Sequence, residues 1–387
     1  MTDEALTPAV AGEPANSATL VDPRGLTARA HRGGATAGGT VELMRLLRIA
    51  YSLTQRFFPQ ILLIAIAVSI LVVYLTGGLT LMGEQIRNAL VLGAIYALVA
   101  IGYTMVYGII ELINFAHGDV FALSGFYALI VGTTFGGAVG NLATGSGLGL
   151  ALALVITFAL TMVMAGLTGM AIERVAYRRL RDAPRLAPLI TAIGVSFLLE
   201  GFMLVKYGAD NVPTQNQSWI TGDAITIGSV TIEWKQIFVV AVALVLMFAL
   251  GAFVRTTRLG KAMRATAQDR NAALLCGINV NRTISATFFI GSALAAAGAI
   301  VYNINYGLIQ WNLGYRLGII AFTAAVLGGI GNIVGAGIGG FLIGVIYVFG
   351  GQLAGGQWSE SLIFAILVII LTFRPVGLFG VDVTTRA

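Results

Sequence analysis

The fold class predicted by this sequence is all-α, a polytopic transmembrane bundle of about ten helices, and three observations predict it. Of 387 residues, 57% are hydrophobic and only 10% are charged, and the mean hydropathy is +0.89. Such a composition cannot cover a water-exposed surface and is suited to a bilayer. Residues free of Asp, Glu, Lys and Arg recur over 57–83, 88–110, 120–172, 236–254, 283–315 and 317–359. Since about 20 apolar residues cross the hydrocarbon, the longer intervals hold two crossings each. Finally, the basic residues fall in alternate connections between these intervals.

The N-terminal stretch 1–56 reads as a disordered cytoplasmic tail, its first forty residues rich in Ala, Thr, Pro and Gly and without hydrophobic period. The first apolar segment begins near Ile61, too deep for an ordinary cleavable signal, so it is expected to remain as an anchor. Helices are expected near 61–77, 88–108, 109–131, 148–171, 186–206, 236–254, 283–303, 316–332, 334–352 and 358–374, within a transmembrane domain over 57–380. Residues 381–387 form a short tail. Arg45, Arg48 and Arg56 precede the first span; Arg174, Arg178, Arg179, Arg181 and Arg185 lie in one later connection. Arg255, Arg258, Lys261, Arg264, Arg270 and Arg282 lie in or beside the loop 255–282, and Arg374 closes the last span. The opposite connections carry Arg87, Lys206, Lys235 and Arg316. Positive residues in short loops stay on the cytoplasmic side, which places both termini there and the protein in the plasma (inner) membrane.

Composition also limits the chemistry. Cys276 is the only cysteine and His31 and His117 are the only histidines, which leaves no disulfide within the chain, no cysteine metal site and no histidine cluster. No nucleophile stands with a general base, so no enzyme activity is expected, and no cofactor. The net charge of +6 is explained by the membrane distribution of the basic residues rather than by nucleic acid.

Three blocks carry the functional signal. In 93–119, GAIYALVAIGYTMVYGIIELINFAHGD, the polar residues Glu111, Asn114, His117 and Asp119 are concentrated between strongly apolar segments, with Gly108 and Gly118 on either side. A charged group at the bilayer centre costs about 2.5–3.5 kcal/mol, so these side chains should face protein or water. Two readings are open: Asn114, His117, Gly118 and Asp119 line or brace a translocation path beside a broken helix, or they cap a helix start at the membrane surface.

The second block, 322–340, has glycines at 328, 329, 331, 335, 337, 339 and 340. It is no phosphate loop, because Phe341 and Leu342 stand where Lys followed by Ser or Thr would be needed. Gly328, Gly329 and Gly331 either serve close helix packing or mark a second broken helix at the pathway; the stretch itself is a tight turn or a loop entering the membrane. The third block, 260–282, contains NAALLCG, in which Ala272 and Ala273 favour helix, Leu274 and Leu275 form an apolar ridge, and Gly277 can end the helix left-handed. That is a short surface helix suited to a groove on a partner, or a basic loop held at membrane lipid head groups by Arg264 and Arg270.

With its INFAHGD string, its glycine block and the run GKAMRATAQDRNAALLCGINVNR, the chain resembles the LivH-type permeases of branched-chain amino acid ABC importers over about 85–380. NAALLCG resembles the family's EAA motif, with Asn271 in place of the acidic residue. The resemblance implies a coupling helix formed by Arg264, Asp269, Asn271, Ala272, Ala273, Leu274, Leu275 and Gly277. It also implies as partners two ATP-binding subunits that carry the ATP, a second, LivM-like permease, and an extracytoplasmic binding protein that delivers an amino acid. A permease of the same type for urea or amides, and an ion-coupled secondary transporter using Glu111, His117 and Asp119, are the alternatives.

Overall fold

The computed structural model describes residues 34–112, 114–134, 138–181, 183–184 and 186–380. The tails expected over 1–33 and 381–387, and Arg185, lie outside the described residues. Two compact units divide the chain after Arg56. In the first, the backbone is helical from Gly34, inside the stretch 1–56 expected as a tail. The second begins at Phe57 and holds everything that follows.

In hydrocarbon every backbone N–H and C=O must bond within its own segment, so apolar runs of this length form helices. Helix α1 (Gly34–Ile110) is interrupted at Gly78, whose φ of 68° and ψ of −166° are open to glycine alone. There follow α2 (Ala116–Thr134), α3 (Ala138–Gly145), α4 (Gly147–Ile172), α5 (Leu186–Tyr207), α6 (Trp234–Thr256), α7 (Arg258–Gln268), α8 (Arg270–Leu275), α9 (Val280–Tyr306), α10 (Leu313–Gly328), α11 (Ile333–Ala354) and α12 (Ser359–Phe373). Seven of the described helices are long and apolar enough to cross a membrane. The first of these, Phe57–Ile110, contains the break at Gly78, and α10 adds a shorter apolar helix.

The second half of α1 and most of α9 are buried, while α4, α5 and α6 turn large apolar side chains such as Val155, Phe197 and Val245 outward. A surface of this kind is solvated by lipid, not by water. Small residues let the inner helices close up. Gly93 and Ala97 of α1 face Gly340 and Gly344 of α11, and a Cβ on Gly344 would come within 2.5 Å of the Gly93 Cα. This is the small-xxx-small contact of membrane helices on both partners.

Hydrogen bonds gather the connections into two ends. At one, Arg270 Nη2 donates to the Ile110 carbonyl (2.7 Å), Arg181 Nη1 to Asn281 Oδ1 (2.6 Å), and Asn332 Nδ2 to the Phe379 carbonyl (3.0 Å). At the other, Thr80 and Ser229 hydroxyls meet at 2.6 Å and Arg87 Nη1 donates to the Thr231 carbonyl (2.7 Å). Arg181 and Arg270, of one sequence-predicted set, stand at the first end, and Arg87, of the opposite set, at the second.

Two details differ from expectation, and a third decides between two readings. The connection after α5 holds strands β1 (Val212–Pro213), β2 (Asp223–Ile227) and β3 (Val230–Glu233); β2 and β3 form an antiparallel hairpin, and β1 pairs with β4 (Leu308–Ile309). Polar and β-branched residues outside the apolar spans have no hydrocarbon to force them helical, and strand pairing satisfies their backbone instead. The helix expected from residue 109 starts at Ala116, because the chain leaves the helix at Glu111, whose φ is 55°. The glycine block is a tight turn: α10 ends at Gly328, Gly329 and Gly331 take φ values of 99° and 91°, and the Asn332 side chain accepts from the Gly335 N–H (3.0 Å) to start α11.

Candidate functional site

The helix break of 111–115 is the structural centre of the site. Neither flanking glycine makes it. Gly108 remains helical and rests against Gly331, and Gly118 sits in the first turn of α2, where a Cβ would lie 2.7 Å from the Gly318 Cα. The positive φ falls on Glu111 instead, a conformation costing a non-glycine residue about 1–2 kcal/mol that the surroundings must hold in place.

Two side chains hold it. Arg270, the first residue of α8, donates to the Ile110 carbonyl at the end of α1, satisfying an acceptor left open where the helix stops. Tyr177 donates its hydroxyl to Asn114 Oδ1 at 2.9 Å, and the Asn114 carbonyl accepts the His117 N–H (3.1 Å), which turns the chain into α2. Asn114 therefore braces the break from inside the protein.

Beyond the break, His117 and Asp119 are buried in the first turn of α2. Ser196 of α5 donates to Asp119 Oδ2, whereas Asp119 Oδ1 and both ring nitrogens of His117 have no hydrogen-bond partner among the described residues. The His117 ring packs edge-on to Tyr103, centroids 4.6 Å apart, and faces Gly102, where a Cβ would come within 2.6 Å of Nε2. Ser196 is about ten residues into α5, and Gly291, which borders Gly102, about eleven into α9. At 1.5 Å per residue both stand roughly 15 Å from the helix starts, which is half of a ~30 Å hydrocarbon layer. The cluster thus lies about 15 Å in from those helix starts, near the middle of α5 and α9. Open acceptors and donors at that depth are costly unless a polar partner meets them.

Tyr177 belongs to a π-turn, Glu173–Tyr177, at the end of α4. The fully buried Glu173 carboxylate pairs with Arg178 (3.2 Å) and Arg181 and accepts from Ser285 Oγ of α9 (2.7 Å). Burial lowers the pKa of the Arg181 guanidinium, against which the Glu173 carboxylate works. Glu173, Tyr177, Ser196 and the Arg270 bond are absent from the sequence-predicted site. For Glu173 a signal exists, since it is the one acid in the basic run 173–181; Ser196 has none.

The expected coupling residues form a helical corner over α7 and α8. Arg264 donates to the Val254 carbonyl near the end of α6. Asp269 caps α8, accepting from the N–H groups of Asn271 (2.8 Å) and Ala272 (3.0 Å). The acid missing at Asn271 is thus supplied two residues earlier, where it meets the positive end of the helix. Gly277, at φ 80°, closes α8 as its pattern predicts: its N–H reaches the Leu274 carbonyl and that of Ile278 the Ala273 carbonyl, both at 3.0 Å. Ala273 is buried, but Leu274 and Leu275 are 56% and 90% exposed. A cavity of about 350 Å³ lies between this corner and the break, lined by Ile109, Glu111, Arg181, Thr266, Asp269 and Arg270.

The glycine block takes a different place. Gly328 packs on Gly335 and Ala336, Gly329 on Gly380, and Gly331 beside Gly108, while the N–H groups of Leu378 and Phe379 donate to the Leu327 and Gly328 carbonyls. His117 and Asp119 face Gly102, Gly314 and Ser196 instead. The structure therefore brings Asn114, His117, Gly118 and Asp119 together, and sets Gly328, Gly329 and Gly331 at the end of the bundle in close backbone packing.

A family model described as "Branched-chain amino acid transport system / permease component" matches residues 85–371. The high-affinity branched-chain amino acid transport system permease protein BraD of Pseudomonas aeruginosa is 42% identical over 299 residues, which cover 77% of this chain and 95% of BraD. LivH of Escherichia coli K12, another high-affinity branched-chain amino acid transport system permease protein, is 38% identical over 303 residues, again 77% of this chain and 95% of the relative. The autoinducer 2 import system permease protein LsrC of Klebsiella pneumoniae is 28% identical over 168 residues, 41% of this chain and 46% of LsrC. No solved structure matches.

Proposed function

The chain belongs to the family of permease components of branched-chain amino acid transport systems, and on that premise we propose that it forms one half of the membrane channel of an ABC importer for branched-chain or closely related amino acids. It is a multi-pass membrane protein and a transporter subunit. In this reading ATP is bound and hydrolysed by separate subunits, an extracytoplasmic protein delivers the amino acid, and a second, LivM-like permease completes the channel. The end carrying α7, α8 and most of the basic residues faces the cytoplasm of the inner membrane, with both termini on that side.

One observation carries the mechanism. α8 presents Leu274 and Leu275 outward, and its first residue, Arg270, is bonded to the carbonyl where α1 breaks, at the start of the segment that leads into the buried His117 and Asp119. A movement imposed on the leucine ridge by an ATP-binding subunit is transmitted through Arg270 to the break and re-aims the first turn of α2. The open polar atoms of His117 and Asp119 then offer hydrogen bonds to the ammonium and carboxylate of a passing zwitterion, while Tyr103 and Phe322, 5.9 Å apart, supply apolar contact. Alternating access requires such a two-state element rather than a fixed pore.

Reconstitution tests the proposal. Vesicles containing the permease pair, the ATP-binding subunits and the binding protein should accumulate leucine on ATP addition and continue to do so with a protonophore. Accumulation that proceeds without the ATP-binding subunits and collapses with the protonophore would refute the reading in favour of an ion-coupled carrier.

A further inference from the structure

At the same end of the bundle, a second cavity of about 460 Å³ opens between the end of α4 and the start of α9. Three arginines line it, Arg174, Arg178 and Arg282, and no carboxylate does. Arg178 is occupied by Glu173 and Ser285. The side chains of Arg174 and Arg282, both exposed, make no hydrogen bond or ion pair among the described residues. The backbone start of α9, beside Asn279, adds its own positive potential. Two free guanidinium forks converging on one hollow are suited to a phosphodiester, which each can grip through two N–H groups.

The position of the cavity identifies the source of that phosphate. Arg174 lies just past the last residue of α4 and Arg282 in the first turn of α9, the level at which a membrane span gives way to headgroups. From the cavity, Met170, Leu167, Val163 and Leu160 rise along one face of α4 at helical spacing. Met170 lines the cavity, and Leu167 and Val163 are 54% and 47% exposed. Ten residues of helix span about 15 Å, the depth of one leaflet. A strip of that length above a cationic hollow is complementary to one molecule with an anionic head and acyl tails.

We propose that this cavity is a binding site for an anionic phospholipid, with its headgroup phosphate held by Arg174 and Arg282 and its chains laid along the Leu160–Met170 strip. The site is separate from the translocation cluster and depends only on the membrane-spanning character of the chain. It would anchor the joint between α4 and α9, where Glu173 and Ser285 meet.

The test uses the full chain purified from its native membrane in mild detergent, with phosphatidylglycerol, phosphatidylcholine and inorganic phosphate as probes. Phosphatidylglycerol should remain bound in native mass spectra and raise the apparent melting temperature. The Arg174→Gln/Arg282→Gln variant should lose at least tenfold in lipid occupancy, and Arg174→Lys/Arg282→Lys should keep most of it. Both positions are exposed, so monodisperse elution of each variant checks folding. Equal retention by the Gln variant, or equal stabilisation by phosphatidylcholine, would overturn the proposal. Stabilisation by inorganic phosphate as strong as by the lipid would overturn it as a lipid site. So would loss of the lipid when the ATP-binding subunits assemble, since the arginines would then serve an acidic protein surface.

Discussion

Replacing Leu274 and Leu275 with Asp separates the coupling role of α8 from its role in the fold. Both side chains point away from the bundle, and their exposures of 56% and 90% add up to about one and a half leucine side chains left in water. Burying a whole leucine contributes about 1.5–3 kcal/mol, so a partner groove that covers both gains roughly 2–4 kcal/mol from them. At 1.4 kcal/mol per factor of ten, the double substitution should weaken association with the ATP-binding subunits by roughly 30- to 1,000-fold, and the desolvation of two carboxylates pushes the result toward the upper figure. The Asp269 cap and the Gly277 closure involve neither side chain, so the permease itself should elute as a single species with unchanged helicity. Affinity measured on the purified complex, together with ATP-driven leucine uptake in vesicles, reads the outcome. Survival of both association and uptake would refute the coupling assignment. Ala273→Asp provides the contrast: Ala273 is buried, and this substitution should destabilise the permease before any partner is added.

Arg270→Gln removes a charged donor from the Ile110 carbonyl, an interaction of about 1.5–3 kcal/mol. The complex should assemble and keep its basal ATP hydrolysis, but stimulation by loaded binding protein should fall at least tenfold, with partial recovery in Arg270→Lys. Glu173→Gln leaves Arg178 and Arg181 facing each other without their acid. Breaking a buried pair costs about 3–5 kcal/mol, and the partial exposure of Arg178 lowers the expectation to a melting loss of several degrees, which Glu173→Gln/Arg181→Gln should partly restore. Gly344→Leu forces a side chain into the α1 backbone at Gly93; overpacking of about 1–3 kcal/mol or more should appear as loss of monodisperse protein in detergent. Asp119→Asn keeps the size of the side chain while removing its charge, and should reduce leucine uptake at least tenfold with little change in melting temperature; unchanged uptake would exclude Asp119 from the path.

Much of the fold was legible because membrane physics acts locally. Apolar runs, their lengths and the alternation of basic connections follow from the needs of a single segment in lipid, and the helix positions agree within a few residues over most of the chain. The Gly277 closure was equally legible, since a helix C-terminus is decided within five residues. The break was seen but misplaced: glycine tolerance pointed to Gly108 and Gly118, whereas those two residues serve backbone contacts with Gly331, Gly314 and Gly318, and the strained φ fell to Glu111. The glycine block left pathway and packing open, and which backbone each glycine touches is visible only in the tertiary structure.

By itself, then, the sequence determined a lipid-solvated helical bundle, the grouping of its connections and the family to which it belongs, because each depends on composition or on motifs a few residues long. Tertiary structure alone decided which polar groups meet. Ser196 reaches Asp119 across 77 residues of chain, Ser285 reaches Glu173 across 112, and Arg270 reaches Ile110 across 160. Such pairings carry no local signature, since they exist only once several helices, each indifferent to the others while alone in lipid, pack at particular depths and rotations. That packing buries two ionisable side chains inside the bundle and joins a surface helix by one hydrogen bond to the end of α1.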